Sequence, residues 1–171
     1  MAPAGLAIEL GVFNGHSLAA IRGVRKPPVV GFDCWTGLPS AWDRGDGASD
    51  HPVGRFATSR PTDVANGVTL VDGLFADSLP PWLASHEDPI QFMHVDCDLY
   101  ESAATALALV GPRLAPGAVI VFDELVDWAQ QSYPNWPQGE WRALVEWIRA
   151  SGVALRPIAH SSHEQAAFVK V

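Results

Sequence analysis

The chain has 171 residues, 48% of them hydrophobic, a size and composition that fit one globular domain, 1–171, with a substantial core. It holds no apolar run of about 18 residues, and its opening MAPAGLAIELG lacks a basic segment and a cleavage site, so neither a membrane span nor a secretory leader is expected. With 19 acids against 11 bases and a net charge of −8 it would repel DNA or RNA, while Cys34 and Cys97 form no disulfide framework or CxxC pair, which suits a reducing, cytoplasmic setting.

In chain order, residues 5–10 (GLAIEL) are a short apolar run with an acid near its end, hence a strand. GVFNGHS follows as a turn with two glycines, and 16–23 reads as a helix with Leu18 and Ile21 as its apolar positions. PVVGFD (28–33) and GVTLVDG (67–73) are the next strands. A short helix is expected over 78–86, with proline near its first turn, where the missing N–H is harmless. PIQFMHVD (89–96) is the fourth strand. Ala103, Leu107, Val110 and Leu114 are spaced as one helix face, so 100–114 reads as a helix that Gly111-Pro112 bends or ends. GAVIVFDE (117–124) is the fifth strand, entered through a Pro-Gly turn. Trp141, Leu144, Val145 and Ile148 share a face of a helix over 140–151, and 152–159 and 165–171 close the chain as an antiparallel pair of strands.

Strands that are apolar throughout and alternate with helices imply a parallel sheet covered on both faces, in which ligands bind beyond the carboxyl ends of the strands. Glu9, Asp33, Asp72, Asp96, Asp98, Asp123 and Glu124 all fall at or just beyond such ends, so they are expected along one rim. The irregular stretches 40–66 and 130–139 are expected to overhang that rim, the first as a lid or an insertion. Trp128 and Trp136 are candidates for the floor of an apolar substrate pocket.

ELGVFNGHS, residues 9–17, is a strand, a tight glycine turn and a helix start, which lets a ligand approach the backbone closely. It is neither GxGxxG nor a P-loop, so a pyrophosphate cradle is not expected, and the acid before the turn favours a cationic group such as an amino-acid ammonium. Here the chain resembles the class I S-adenosylmethionine-dependent methyltransferases, in the pattern of their metal-dependent catechol O-methyltransferase branch. The resemblance implies that Gly11, Phe13 and Ser17 hold the methionine portion, supported by Glu9. In VVGFDCW, Asp33 would accept both ribose hydroxyls, with Cys34 and Trp35 beside the adenine. FDCWTGLP and DGLFADSLP are similar to blocks of the macrocin O-methyltransferase family, which places Gly73, Leu74 and Phe75 near adenine. Asp77 is expected to cap the helix that follows.

FMHVDCDLYE, residues 92–101, carries two acids one residue apart at a strand end, costly if unpartnered. DCDLYES is similar to the Asp-Gly-Asp-Leu-Tyr-Glu-Ser block of the macrocin-type enzymes, with Cys97 in place of glycine, and Asp123-Glu124-Leu125 stands for their Asp-Asp-Tyr. Asp96, Asp123 and Glu124 would come from adjacent strand ends and offer three hard oxygen donors to Mg2+, leaving positions for a substrate oxygen. Such an ion would orient an acceptor hydroxyl and lower its pKa. Asp98 is open between general base and cap of the helix after it, and Glu101 between support of the site and a solvated first turn. Leu99 stands where catechol-type enzymes carry lysine, so their base does not transfer. His94, on the strand face of Asp96, and His16 are further catalytic candidates.

The expectation is thus an α/β protein with the Rossmann-like class I methyltransferase fold: a mostly parallel seven-stranded sheet, helices on both faces and an antiparallel C-terminal strand. The activity expected is transfer of methyl from S-adenosylmethionine to a hydroxyl of a small molecule, a sugar or phenol, with Mg2+ and without nucleic-acid or membrane partners. A metal-dependent nucleotide-sugar glycosyltransferase also ends a strand in Asp-x-Asp, and a cofactor-binding protein without turnover is the third reading. Related methyltransferases carry helical segments before the first strand, so a trimmed member or a homo-oligomer supplying that cover is expected.

Overall fold

The computed structural model describes residues 5–26, 28–45, 47, 50–130 and 132–171. β1 (Leu6–Leu10) leads through the glycine turn into α1 (His16–Val24) and β2 (Val29–Asp33). A small antiparallel pair, β3 (Trp42–Asp43) and β4 (Asp50–His51), precedes β5 (Val68–Asp72), α2 (Phe75–Ser85) and β6 (Ile90–Val95). α3 (Tyr100–Val110), β7 (Leu114–Phe122), α4 (Glu140–Ser151), β8 (Leu155–His160) and β9 (Ala166–Lys170) follow.

The main sheet has seven strands in the order β5-β2-β1-β6-β7-β9-β8. The first five are mutually parallel, β9 runs antiparallel to β7, and β8 antiparallel to β9. This is the expected Rossmann-like methyltransferase arrangement. The chain leaves β1 in one direction to build β2 and β5 and returns to its other side with β6, so the switch point lies between β1 and β6.

Period two along the strands sorts the core into two faces. Leu6, Ile8 and Leu10 point, with Met93, Val95, Ile120 and Phe122, toward Leu79 of α2, Leu107 of α3 and Leu144 of α4. Ala7 and Val29 face the other way, against Leu18 and Ile21 of α1. β1 is buried on both sides, which explains why GLAIEL shows no polar alternation.

Several boundaries move for physical reasons. α2 starts at Phe75, not 78, so Asp77 lies within its first turn instead of capping it; the N-cap is Leu74, without a side-chain bond. Pro80 and Pro81 therefore sit inside the helix, one turn from its start. α3 ends at Val110, and Gly111–Arg113 tightens into a 3-10 turn, as the Gly-Pro pair foretells. β7 begins at Leu114, earlier than expected, because Leu114 already pairs with Ile90. The Pro-Gly turn becomes a bulge within the strand, where Gly117 adopts φ 78° and pairing resumes at Val119 with Phe92. No helix among the described residues is long and apolar enough to cross a membrane.

Candidate active site

A cavity of about 630 Å³ opens at the carboxyl ends of β1, β2, β5, β6 and β7, within the range of small-molecule sites. Its first wall is the glycine turn. Gly11 (φ 92°) passes so close to β6 that an added Cβ would lie 1.7 Å from the Asp96 carbonyl oxygen, so only glycine fits there. Asp33 holds the turn from the side. Its Oδ2 accepts the N–H groups of Val12 and Phe13, each at 2.8 Å, and its Oδ1 accepts that of Trp35 at 2.8 Å. The acid read as a ribose ligand is thus also the brace that shapes the turn, and Oδ1 retains capacity for a further donor.

Gly11, Phe13, Ser17, Asp33, Cys34, Gly73, Leu74 and Phe75 all line this cavity. Trp35, expected beside the adenine, is not on this lining. Its indole donates to Asp72 at 2.9 Å and packs beside the α1 core, and its backbone takes φ 63°. Nor do Trp128 and Trp136 form a floor: Trp128 is 44% exposed and stacks on His160, and Trp136 packs against Trp141.

The opposite wall is acidic. Asp96, Asp98, Asp123 and Glu124 line the cavity, and one carboxylate oxygen from each of Asp96, Asp123 and Glu124 lies within 4.8 Å of the other two. Burial, reinforced by Asp123, pushes Asp96 up to about 7. Burial also pushes Asp98 up to about 7, with Arg44 opposing and Asp123 and Asp33 adding to the rise. Glu124 is driven well above the ordinary carboxylate range by burial and then by Asp98, and its Oε2 is buried without a hydrogen-bonding partner. Asp98 does not cap α3, whose N-cap is Leu99 with no side-chain bond; it sits at φ 62°, a strained conformation that turns it into the cavity wall. Glu101 and His16 lie on the same lining.

One acid here escaped the sequence reading. Glu140, the first residue of α4, is fully buried and accepts the backbone N–H of Cys97 at 3.3 Å, between the two aspartates. Its Oε2 has no partner, and burial followed by Asp96 holds its pKa well above normal. An acid opening a helix ordinarily reads as a solvated first turn, so only the preceding Gly139, which lets the Tyr133 hydroxyl pack at its Cα, hints at burial.

Beneath this wall lie Glu9 and His94, neither of them on the cavity lining. They are register partners on β1 and β6, Glu9 is 0% exposed, and its Oε1 meets His94 Nδ1 at 2.8 Å. Burial raises the Glu9 pKa, with His94 and Ser17 opposing. Burial lowers that of His94, but Glu9 and Asp96 outweigh it, and the net shift is upward. Glu9, expected to support the methionine portion, thus lies behind the lining, paired with His94.

The two irregular stretches join above the rim. Leu38, Trp42, Leu99 and Tyr133 form a third small core, and Trp42 Nε1 donates to the Tyr133 hydroxyl at 3.2 Å. Arg44 lies over both rings, at 4.5 and 4.6 Å, and pairs with Glu164 at 2.5 Å. His51 is stacked on Trp42 at 5.1 Å and on Phe56 at 5.8 Å. The stretch 40–66 is thus anchored where it crosses the rim.

A sheet reversed between β1 and β6, a glycine turn after the first strand and an acid after the second are features that class I S-adenosylmethionine-dependent methyltransferases share with other nucleotide-binding α/β folds. Residues 8–125 match the family model described as a methyltransferase domain, and the chain belongs to that family. Among solved structures it is similar to CalS11, a calicheamicin methyltransferase, with 28% identity over 97% of this chain and 72% of that one, at TM-score 0.74. The apo structure of CalS11, described as a TDP-rhamnose 3'-O-methyltransferase, superimposes at TM-score 0.64 with 28% identity, covering 97% of this chain and 72% of that one. The O-methyltransferase NovP shares the fold at 21% identity and TM-score 0.73, over 98% and 72% of the two chains. No curated protein matches.

Proposed function

We propose that the protein methylates a hydroxyl of a small sugar-bearing molecule, using S-adenosylmethionine and a divalent ion, Mg2+, held by Asp96, Asp123 and Glu124. The observation that carries the metal half is the convergence of three carboxylates on the cavity that also holds the glycine turn. Three hard oxygen donors, one with an orphaned buried oxygen, fit a magnesium site in number and type, and such a site leaves positions open. The likeness to CalS11, at 28% identity, supports a sugar hydroxyl over a phenol. The membership in the methyltransferase-domain family disfavours the glycosyltransferase reading.

Roles follow from placement. The turn at Gly11–Phe13 brings backbone against the methionine portion, and Leu74 and Phe75 offer an apolar wall to the adenine. When bound, the ion supplies Lewis acidity and a fixed orientation for the acceptor oxygen. Asp98 is our candidate for accepting the hydroxyl proton, a role supported by its place on the wall and by its having no side-chain cap bond to α3. The Leu38–Trp42–Tyr133 cluster packs Leu99, next to Asp98, against the two irregular stretches.

The test is a methylation screen with labelled cofactor over nucleotide sugars, glycosides and phenols, with Mg2+ or EDTA. Turnover of a glycosyl acceptor that EDTA abolishes, with S-adenosylhomocysteine binding retained in EDTA, is the expected result. Turnover indifferent to EDTA would remove the metal from the proposal, and binding of the cofactor product without turnover of any acceptor would leave a protein that keeps the site but not the reaction.

A further inference from the structure

Resting on the roles just proposed for Asp96 and Asp98, the geometry points to the acid that holds them in place. We propose that Glu140 is a positioning residue: by accepting the N–H of Cys97 it keeps the turn from Asp96 to Leu99 in the strained shape that delivers both aspartates to the cavity. Glu140 opens α4, yet it is 0% exposed. An acid in a first turn ordinarily serves the N-terminus of its own helix. Here Oε1 instead reaches 43 positions back along the chain, to the Cys97 N–H at 3.3 Å and the Cys97 thiol at 3.7 Å.

The turn it grips is one that a chain does not adopt unaided. The Leu99 N–H donates to the Cys97 carbonyl at 2.6 Å, two residues back, and Asp98 between them takes φ 62°. A three-residue turn with a positive central φ is rare and strained, and such strain persists only where neighbours over-determine it. Three contacts do so here. The Asp96 N–H donates to the Leu10 carbonyl of β1 at 2.9 Å, and Leu99 is packed with Leu38, Trp42 and Tyr133. Cys97, between these two anchors, is fixed by Glu140. Without that middle contact the turn is free to relax toward an ordinary φ, which carries the Asp98 carboxylate off the wall and loosens Asp96 beside it.

The grip depends on reach and on an acceptor, not on charge. Glu140 Oε2 has no hydrogen-bonding partner, so the side chain works through Oε1 alone. Gly139 sets the point from which that reach starts, since a Cβ there would collide with the Tyr133 hydroxyl. Glutamine keeps both length and acceptor, whereas aspartate keeps the charge and is one methylene too short. A role for Glu140 as one more negative charge behind the wall would rank these two replacements in the opposite order.

Mg2+ titration calorimetry with S-adenosylhomocysteine present, and steady-state methylation of the acceptor from the screen, test this on the full chain as wild type, Glu140→Gln and Glu140→Asp. Glu140→Gln is expected to stay within about threefold of wild type in Mg2+ affinity and kcat. Glu140→Asp is expected to lose about tenfold or more in both, while S-adenosylhomocysteine affinity and the KM for the cofactor change less than about threefold. Loss in the glutamine variant alone, in both or in neither would overturn the inference. Wild type that binds no Mg2+ would overturn the metal reading instead, and kcat then decides the role of Glu140; should no acceptor turn over, Mg2+ affinity decides it in the same way. Amide hydrogen exchange of wild type needs no variant: the Cys97 N–H is expected to exchange as slowly as the amides of β6, and fast exchange refutes the grip whatever the substitutions do to folding.

Discussion

The acid wall makes the metal-free protein less stable as pH rises. Asp96 and Asp98 titrate at about 7 in the folded chain, chiefly because they are buried, and at about 3.9 when unfolded. Between those values the folded state holds more protons than the unfolded one, so stability falls as pH rises from about 4 to about 7 and then levels. A single carboxyl displaced that far loses about 4 kcal/mol across the window. Solvent reaching the open side of the rim screens part of this, and about 2 kcal/mol is the expected observable.

For a chain of this length that corresponds to a fall in Tm of about 4–8 °C between pH 5 and pH 8 in EDTA. A divalent ion at about 100 times its Kd restores about 2.7 kcal/mol, and only at the higher pH, where the carboxylates are free to bind it. Scanning calorimetry at pH 5, 6, 7 and 8, with EDTA or Mg2+, measures both effects. Asp96→Asn should raise the Tm at pH 8 in EDTA and abolish the response to metal. A Tm in EDTA that holds steady or climbs from pH 5 to 8 would refute the view of this wall as mutually repelling acids awaiting a cation.

Two further substitutions probe the frame around the acids. Gly11→Ala would force a Cβ into the Asp96 carbonyl and put a side chain at φ 92°. A cost of about 2–4 kcal/mol by urea denaturation is expected, together with loss of S-adenosylhomocysteine binding in calorimetry. Glu140→Gln keeps an acceptor for the Cys97 N–H and removes one buried acid, so denaturation at pH 8 should show it as stable as wild type or more so. Glu140→Ala strands that N–H in the interior and should cost about 1–3 kcal/mol in the same assay.

What the sequence disclosed about the fold was whatever depends on period and position along a strand. Runs such as Ile90–Val95 and Val29–Asp33 announced a parallel sheet because both faces are buried, and the acids at their ends announced a rim because parallel strands deliver their carboxyl ends together. Side-chain direction after a tight turn is a different matter. Nothing local separates Trp35, at φ 63°, from an aromatic that closes over the cavity, and nothing in Asp98 separates a helix cap from a wall residue until Leu99 is seen to take the N-cap. Glu140 was invisible for a stronger reason: its burial rests on a contact with Cys97, far away in the chain, and on Tyr133 packed at the neighbouring Gly139.

The Glu140 miss bears on how the site works. It belongs to the contact between the rim and the two irregular stretches, where Arg44 ties Trp42 and Tyr133 to Glu164 while Glu140 ties the base of the same loop to Cys97. The acids on the strand ends are placed by the sheet, and burial is the largest cause behind the raised pKa of Asp96, Asp98, Glu124 and Glu140. The sheet therefore supplies the donors, and their burial supplies the low-dielectric setting in which a divalent ion is worth more to them than water is.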